Sequence, residues 1–335
     1  MATIAHHPTL ADVAREAGVS VSTASRALRD DAAVSPMTKR RVRDAARRLG
    51  YEPNKLARSL RTRSSSFVGM IVPDIAIGFY ARAVKGAQDV LEQAGYQVLV
   101  MNTEREAGRE LQALRTLLSH RVDGVLLATS GGFEDSDRVP VVLFDNLVPG
   151  SGVGSVARAN REGVAILVSH LVGHGHERIG FVGAPPILTS GFERLESFQA
   201  SVAAAGLSLR SEYVRLGDES WSPSSGERAM RELLALDEPP TAVVTASDTL
   251  AFGAIEAVRA RGRRIPDDVA LVSFDDPLFG DLLEPPVTAL ARNERELGEL
   301  AASLLLHAFQ TGVRATPAEV RLPVELIVRR SCGCL

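Results

Sequence analysis

The chain has 335 residues, of which 45% are apolar and 24% charged, with a formal net charge of −3, a composition that fits an ordinary globular protein of two or three domains and excludes a disordered chain. No stretch approaches the roughly 20 apolar residues that cross a bilayer. The two cysteines, Cys332 and Cys334, are too few and too close for a disulfide framework.

The small net charge conceals an asymmetry. Residues 1–64 carry 13 Lys and Arg against 6 Asp and Glu, whereas the remainder carries 25 against 35. A basic head on an acidic body is the electrostatic footprint of a phosphate-contacting module, because cations release condensed counterions when they meet DNA. Within that head, Thr9 with Asp12 three residues on reads as a capping pair, and Leu10, Val13, Ala14 and Ala17 make one apolar stripe of a first helix. Gly18 supplies the turn and Ser20 caps a second helix, whose Ala24 and Leu28 face inward. Its outward positions, Val21, Ser22, Thr23 and Arg26, are short side chains plus one long cation, a surface that lets a helix sink close to base edges. Ser35 and Pro36 open a third helix, with Val42, Ala45, Ala46 and Leu49 as its buried face and Gly50 at its end. The pattern is a helix-turn-helix with a third helix, and its charge sets it apart from any small three-helix bundle.

From Phe67 onward, short apolar runs alternate with helical patterns. Strands are expected near 67–72, 96–101, 122–127, 140–144, 178–183, 241–245 and 269–273. This repeated β/α alternation implies two successive parallel sheets covered by helices on both faces. Gly95, Gly175, Gly206, Gly262 and Gly312 follow helical runs as C-cap glycines, and Asn160, Ser247 and Asn293 are candidate N-caps. In open sheets of this kind ligands sit beyond the carboxyl ends of the strands. The polar residues just after the strand-like runs are therefore candidates for a ligand site. Asp248 reads as a helix-start residue held by the local dipole, outside the pocket.

The chain resembles the lactose-repressor (LacI/GalR) family of bacterial transcription regulators along nearly its whole length. The likeness is carried by TLADVAREAGVSVSTASRALR, RLGYEPNKLARSLR, VGMIVPDI, GHERIGFVGAP, TAVVTASDTLAFGAIEAVRARGRRIPDDVALVSFDD and LPVELIVRRSC. It implies a helix-turn-helix domain over 1–52, a hinge helix and linker over 53–64, and a periplasmic-binding-protein-like body over 65–335. The body would comprise two Rossmann-like subdomains, 65–161 plus 293–322 and 162–292 plus 323–335. By the same resemblance Val21, Ser22 and Arg26 read the major groove, and Asn54 to Arg61 form the hinge. Leu60 takes the place of the family's leucine wedge and Arg61 that of a minor-groove reader. Physics agrees, since leucine between base steps kinks a duplex and a neighbouring Arg reads a narrowed minor groove.

The resemblance picks out the same places for an effector site, namely Phe79 and Tyr80 after the first strand, Asp145 after the fourth, and Ser190 and Arg194 after the first strand of the second half, and it adds Trp221, Ser247 and Asp275. An aromatic face, two carboxylates and an Arg suit a polyhydroxylated ligand such as a sugar or nucleoside. Where the family commonly has Asn-Pro before the aromatic pair, this chain has Ile77-Gly78, and Leu188 stands where a polar residue is common. The implied partners are operator DNA, a small-molecule effector acting as inducer or co-repressor, and a second copy of the chain, as dimer or tetramer. Enzyme chemistry finds no support. The glycines 150, 152 and 154 lack the spacing of a dinucleotide fingerprint, and no P-loop is present. His174 and His176, across a helix-ending Gly, do not face one metal centre. No cofactor or metal is expected, Cys332 and Cys334 read as a frayed tail, and the chain, lacking a signal segment at its start, is expected in the cytoplasm.

Overall fold

The computed structural model describes residues 8–51, 64–218, 221–291, 293–312 and 318–334. The chain divides into two units, residues 1–65 and 66–335.

Among its described residues the first unit has three helices: α1 (Leu10–Glu16), α2 (Val21–Leu28) and α3 (Pro36–Leu49). Each begins at a side-chain cap. The Asp12 N–H donates to Thr9 Oγ1 at 3.3 Å while the Thr9 N–H donates to the Asp12 carboxylate at 2.9 Å. The hydroxyls of Ser20 and Ser35 accept from the N–H groups of Thr23 and Thr38 at 3.1 and 3.3 Å. Such a cap contributes about 1 kcal/mol, a large share of the stability of helices this short. Val13, Ala24, Ala27, Val42 and Ala45 are completely buried where the three helices meet. Leu10, Leu28 and Leu49, expected on the buried faces, sit half-buried at the rim of this small core. Gly50, at φ 63°, ends α3 in the left-handed conformation. The expected hinge, with Asn54, Leu60 and Arg61, lies outside the described residues.

In the second unit the apolar runs become strands β1 (Phe67–Val72), β2 (Gln97–Asn102), β3 (Gly124–Leu127), β4 (Val141–Phe144) and β5 (Gly154–Arg158), joined by helices α4 (Gly78–Gln93) and α5 (Ala107–Ser119). The chain then enters α6 (Asn160–Gly173) and β6 (Ile179–Gly183), α7 (Thr189–Ala204), β7 (Val214–Leu216), α8 (Pro223–Leu233), β8 (Ala242–Thr245), α9 (Asp248–Ala260), β9 (Ala270–Ser273) and β10 (Thr288–Leu290). It returns through α10 (Glu294–Thr311) to β11 (Glu319–Leu322) and ends at β12 (Leu326–Ile327). One six-stranded sheet has the order β11-β5-β4-β3-β1-β2 and the other β12-β10-β9-β8-β6-β7. Every pairing is parallel except β10 with β12. The two sheets thus repeat one winding order, and the chain crosses between them after β5, after β10 and after β11.

The central strands β3, β4, β6, β8 and β9 are buried on both faces, which is why they read as continuous apolar runs rather than alternations. Helices α4 and α10 pack together against the first sheet through Gly86 and Gly298. A Cβ on Gly298 would collide with the Ala83 carbonyl, so the two backbones touch only because these positions lack side chains. Two expected caps differ. Asn160 is the first residue of α6, after Ala159 at the N-cap, and Asn293 caps α10 by position only, donating instead to the Pro323 carbonyl at 2.8 Å. The C-terminal tail is not frayed: Cys332 is 1% exposed and belongs to the core around the second sheet. The Ser331 hydroxyl beside it donates to the Leu271 carbonyl at 2.6 Å. The apolar content of β9 and β10 holds the tail down.

Candidate functional site

In the three-helix unit, α2 presents Val21, Ser22 and Arg26 to solvent, with Thr23 half-buried beside them. The capping network explains the geometry. Ser20 Oγ lies 2.9 Å from the Ser22 hydroxyl and 2.8 Å from that of Thr23, so the short polar residues are ordered around the helix start. Among the described residues five cations of this unit are already paired: Arg15 with Asp12, Lys39 and Arg43 with Asp30, Arg47 with Asp44, and Arg48 with Glu16. Arg26 makes no ion pair among the described residues. An uncommitted guanidinium on an exposed face of small side chains matches the geometry with which recognition helices reach a guanine edge.

The second unit places all eight expected ligand-site residues around one cavity, at the carboxyl ends of both sheets. Phe79 and Tyr80 come from the first turn of α4, after β1, and Asp145 follows β4. Ser190 and Arg194 lie on α7, after β6. Ser247 precedes α9 after β8, Asp275 follows β9, and Trp221 precedes α8. Trp221 packs partly on the second core and partly on the cavity. The structure corrects one exclusion, because Asp248 also lines the cavity. It adds Arg105, Asn146 and Arg158, which the sequence did not single out, and Ile77, Leu188 and Thr249 complete the wall. Two lining residues, Asp145 (φ 68°) and Trp221 (φ 51°), hold left-handed backbone. Asp tolerates this conformation, whereas for a bulky residue it costs energy that the surroundings must offset.

Charge is closely balanced in the cavity, where Asp145, Asp248 and Asp275 face Arg105, Arg158 and Arg194. Arg158 Nη1 donates to Asp275 Oδ1 in a buried ion pair, and Arg194 Nη1 lies 3.8 Å from the other carboxylate oxygen. Arg194 is fixed further by donating to Asn160 Oδ1 at 2.9 Å and to the Ala246 carbonyl at 2.6 Å. Both guanidiniums also meet Phe274, at 3.7 Å for Arg194 and 4.9 Å for Arg158, a desolvated cation–π contact. Arg158 Nε is buried with no hydrogen-bond partner, a donor left unspent. The Tyr80 hydroxyl donates to Asp145 Oδ2 at 3.0 Å.

These environments set the protonation states. Burial raises the Asp275 carboxyl, but Arg158 and Arg194 together outweigh it and hold it below the ordinary range. Asp145 is pushed up by burial against the pull of the same two arginines. Burial and then the nearby Asp275 raise Asp248 to about 6. Burial followed by Asp145 raises the Tyr80 hydroxyl well above the ordinary phenol range, so it remains a donor. Arg194 is lowered to about 10 by burial and then Arg158, and stays protonated at neutral pH.

The walls come from both sheets and are tied across the cleft. Besides Arg158–Asp275, Asn146 Oδ1 accepts from the Ser190 N–H and hydroxyl at 3.2 and 2.8 Å. Arg321 on β11 donates twice to Glu193 on α7, at 2.7 Å each. The free space between the walls is about 60 Å³, well below the roughly 300 Å³ at which small-molecule pockets begin. A sugar-sized ligand therefore requires these ties to shift.

This is a helix-turn-helix unit joined in one chain to a two-sheet ligand-binding body, the construction of a DNA-binding transcriptional regulator. Residues 9–54 match the family of bacterial regulatory proteins, lacI family, and residues 168–332 match the periplasmic binding protein-like domain. The chain is 30% identical to the HTH-type transcriptional repressor CytR of Escherichia coli K12, over 98% of this chain and 97% of that protein. The lac repressor dimer bound to operator and the anti-inducer ONPF superposes with a TM-score of 0.87 at 26% identity, over 98% of this chain and 99% of that one. The transcriptional regulator CelR in complex with cellobiose is 32% identical, with a TM-score of 0.72 over 97% of this chain and all of that one (100%). The chain belongs to the LacI family. Among the described residues no helix is long and apolar enough to cross a membrane.

Proposed function

We propose that this protein is a cytoplasmic, non-catalytic repressor that binds a near-palindromic operator as a dimer and is controlled by a neutral, polyhydroxylated small molecule of the sugar or nucleoside class. One helix-turn-helix contacts only a few base pairs, so a two-fold pair of heads is needed for a specific site. Val21, Ser22, Thr23 and Arg26 would meet the major groove, and Asn54, Leu60 and Arg61 the centre of the site.

The observation that carries the effector class is the balance of carboxylates and guanidiniums between aromatic faces. A charged ligand would leave one side of that balance uncompensated, whereas hydroxyl groups can donate to Asp145 and Asp248 and accept from Arg194 and the unspent Arg158 Nε. Trp221 and Phe79 offer faces for the apolar side of a ring. The cellobiose bound by CelR and the operator and anti-inducer bound by the lac repressor fit this reading. Because the free volume is small, ligand entry would move the two sheets relative to one another. A ligand that prefers one arrangement must change DNA binding by the same factor by which DNA changes its own affinity.

The test is a thermal-shift screen on the full chain of neutral sugars and nucleosides beside acidic and cationic small molecules. A ligand bound only by the folded state raises the melting temperature in proportion to the logarithm of its concentration above Kd. A hit confined to acidic or cationic compounds would overturn the neutral-ligand reading.

A further inference from the structure

Remote from the effector cavity, at the opposite end of α6, donor atoms of metal-ligand type converge. We propose that the converging donors of His170, His174 and Cys334 form a binding site for a zinc-class divalent ion that clips the C-terminal tail to α6, with Cys332, whose sulfur adjoins that of Cys334, as a fourth donor.

His170 and His174 are four residues apart, one in the last turn of α6 and the other at its C-cap, so both rings project from one face. The rings meet edge-on with centroids 4.7 Å apart. Their Nε2 atoms lie 3.5 and 3.0 Å from Cys334 Sγ, and the three donor atoms all fall within 4.8 Å of one another. A tetrahedral ion with bonds of about 2.0–2.1 Å to nitrogen and about 2.3 Å to sulfur spaces its ligand atoms by roughly 3.3–3.8 Å. One ion can therefore bridge them with small side-chain adjustments. Cys332 Sγ is 2.7 Å from Cys334 Sγ, within reach as the fourth position.

Both sides of the cluster are already in place. The tail is held by Ser331, which donates to the Leu271 carbonyl and accepts from the Thr288 N–H at 2.8 Å, and Thr288 Oγ1 also contacts Cys332 Sγ at 3.2 Å. Gly333, at φ 88°, makes the turn that brings the sulfurs together. Two imidazoles with thiols and no carboxylate select a borderline-soft ion over magnesium or calcium, and coordination deprotonates a thiol outright. The clip would fix the far end of the helix whose first residue, Asn160, holds Arg194.

The experiment titrates Co²⁺ into reduced, untagged full-length protein and follows the thiolate-to-cobalt charge-transfer band and the intense visible bands of a tetrahedral site. One equivalent is expected, displaced by Zn²⁺. Cys334→Ser and His174→Ala, which alter a half-buried and an exposed side chain, should each weaken binding at least about tenfold. His176→Ala should not, since His176 Nδ1 is engaged with Thr241 Oγ1 at 3.0 Å. Circular dichroism of the apo variants checks that both still fold. The proposal is overturned if the reduced chain takes up no Co²⁺, if the sulfur band is missing, or if the folded variants bind as the parent does; the last result would place the ion elsewhere, for instance at His6 and His7.

Discussion

Arg158, the last residue of the first sheet's fifth strand, and Asp275, which follows the fourth strand of the second sheet, form a buried ion pair across the cleft. They are 117 residues apart in sequence and are brought together only because both sheets direct their carboxyl ends at the same cavity. Arg158→Met leaves Asp275 buried with only the more distant Arg194, and should destabilise the body on the order of 3–5 kcal/mol. The double variant Arg158→Met/Asp275→Leu should recover much of that loss, since an apolar pair carries no desolvation cost. Urea unfolding followed by body fluorescence checks this through Trp221. A double variant no better than the single would mean that the pair does more than neutralise itself.

Asp248 gives a pH signature. Its folded value, about 6, lies above the ordinary 3.8, so the native state holds this proton more tightly than the unfolded chain. The resulting contribution to stability is complete below about pH 4 and is lost as pH rises through about 6. Asp248→Asn should therefore flatten the pH dependence of the unfolding free energy between about pH 4 and 6 and make the protein more stable than the parent at pH 7. A difference curve without slope in that window would show that Asp248 ionises normally.

In the head, Arg26→Ala should cost about 1–3 kcal/mol of operator affinity and relax the preference at one base pair of each half-site. The measurement is competition binding against an operator library. An equal loss on every sequence would reduce Arg26 to a phosphate contact.

Much of this was legible in the sequence because the signals are local. The caps at Thr9, Ser20 and Ser35 and the seven apolar runs depend on neighbours within a few residues, and each lies where it was expected to within two residues. Strands β5, β7, β10, β11 and β12 were not read. None forms an apolar run of four or more: β7, β10 and β12 have only two or three residues, β11 is interrupted by Glu319 and Arg321, and β5 begins with Gly-Ser after a glycine-rich loop and ends in Arg158. Arg158 was missed for the same reason, since an Arg ending an unrecognised strand carries no signal. Asp248 was set aside because a carboxylate at a helix start has a sufficient local explanation; its exposure to the cavity depends on β8 lying beside β9. The tail cysteines looked frayed because nothing near them in sequence shows that Ser331 is bonded into the second sheet. His170 lies four residues from His174, the spacing that shares a helix face, whereas the closer pair His174 and His176 does not.

Operator titration with and without the effector, on the parent and on Arg194→Ala, shows whether a ligand in the inter-sheet cavity sets DNA binding. Arg194 lines the cavity but belongs to neither segment proposed to contact DNA, and Asp275 retains Arg158 as a partner when Arg194 is removed. The parent should shift its operator affinity by at least about fivefold on saturation with effector. The ligand-free variant should bind operator within about threefold of the parent, a difference of about 0.7 kcal/mol, and should not respond to the effector. A folded Arg194→Ala protein that responds in full would contradict the account and place the controlling ligand elsewhere.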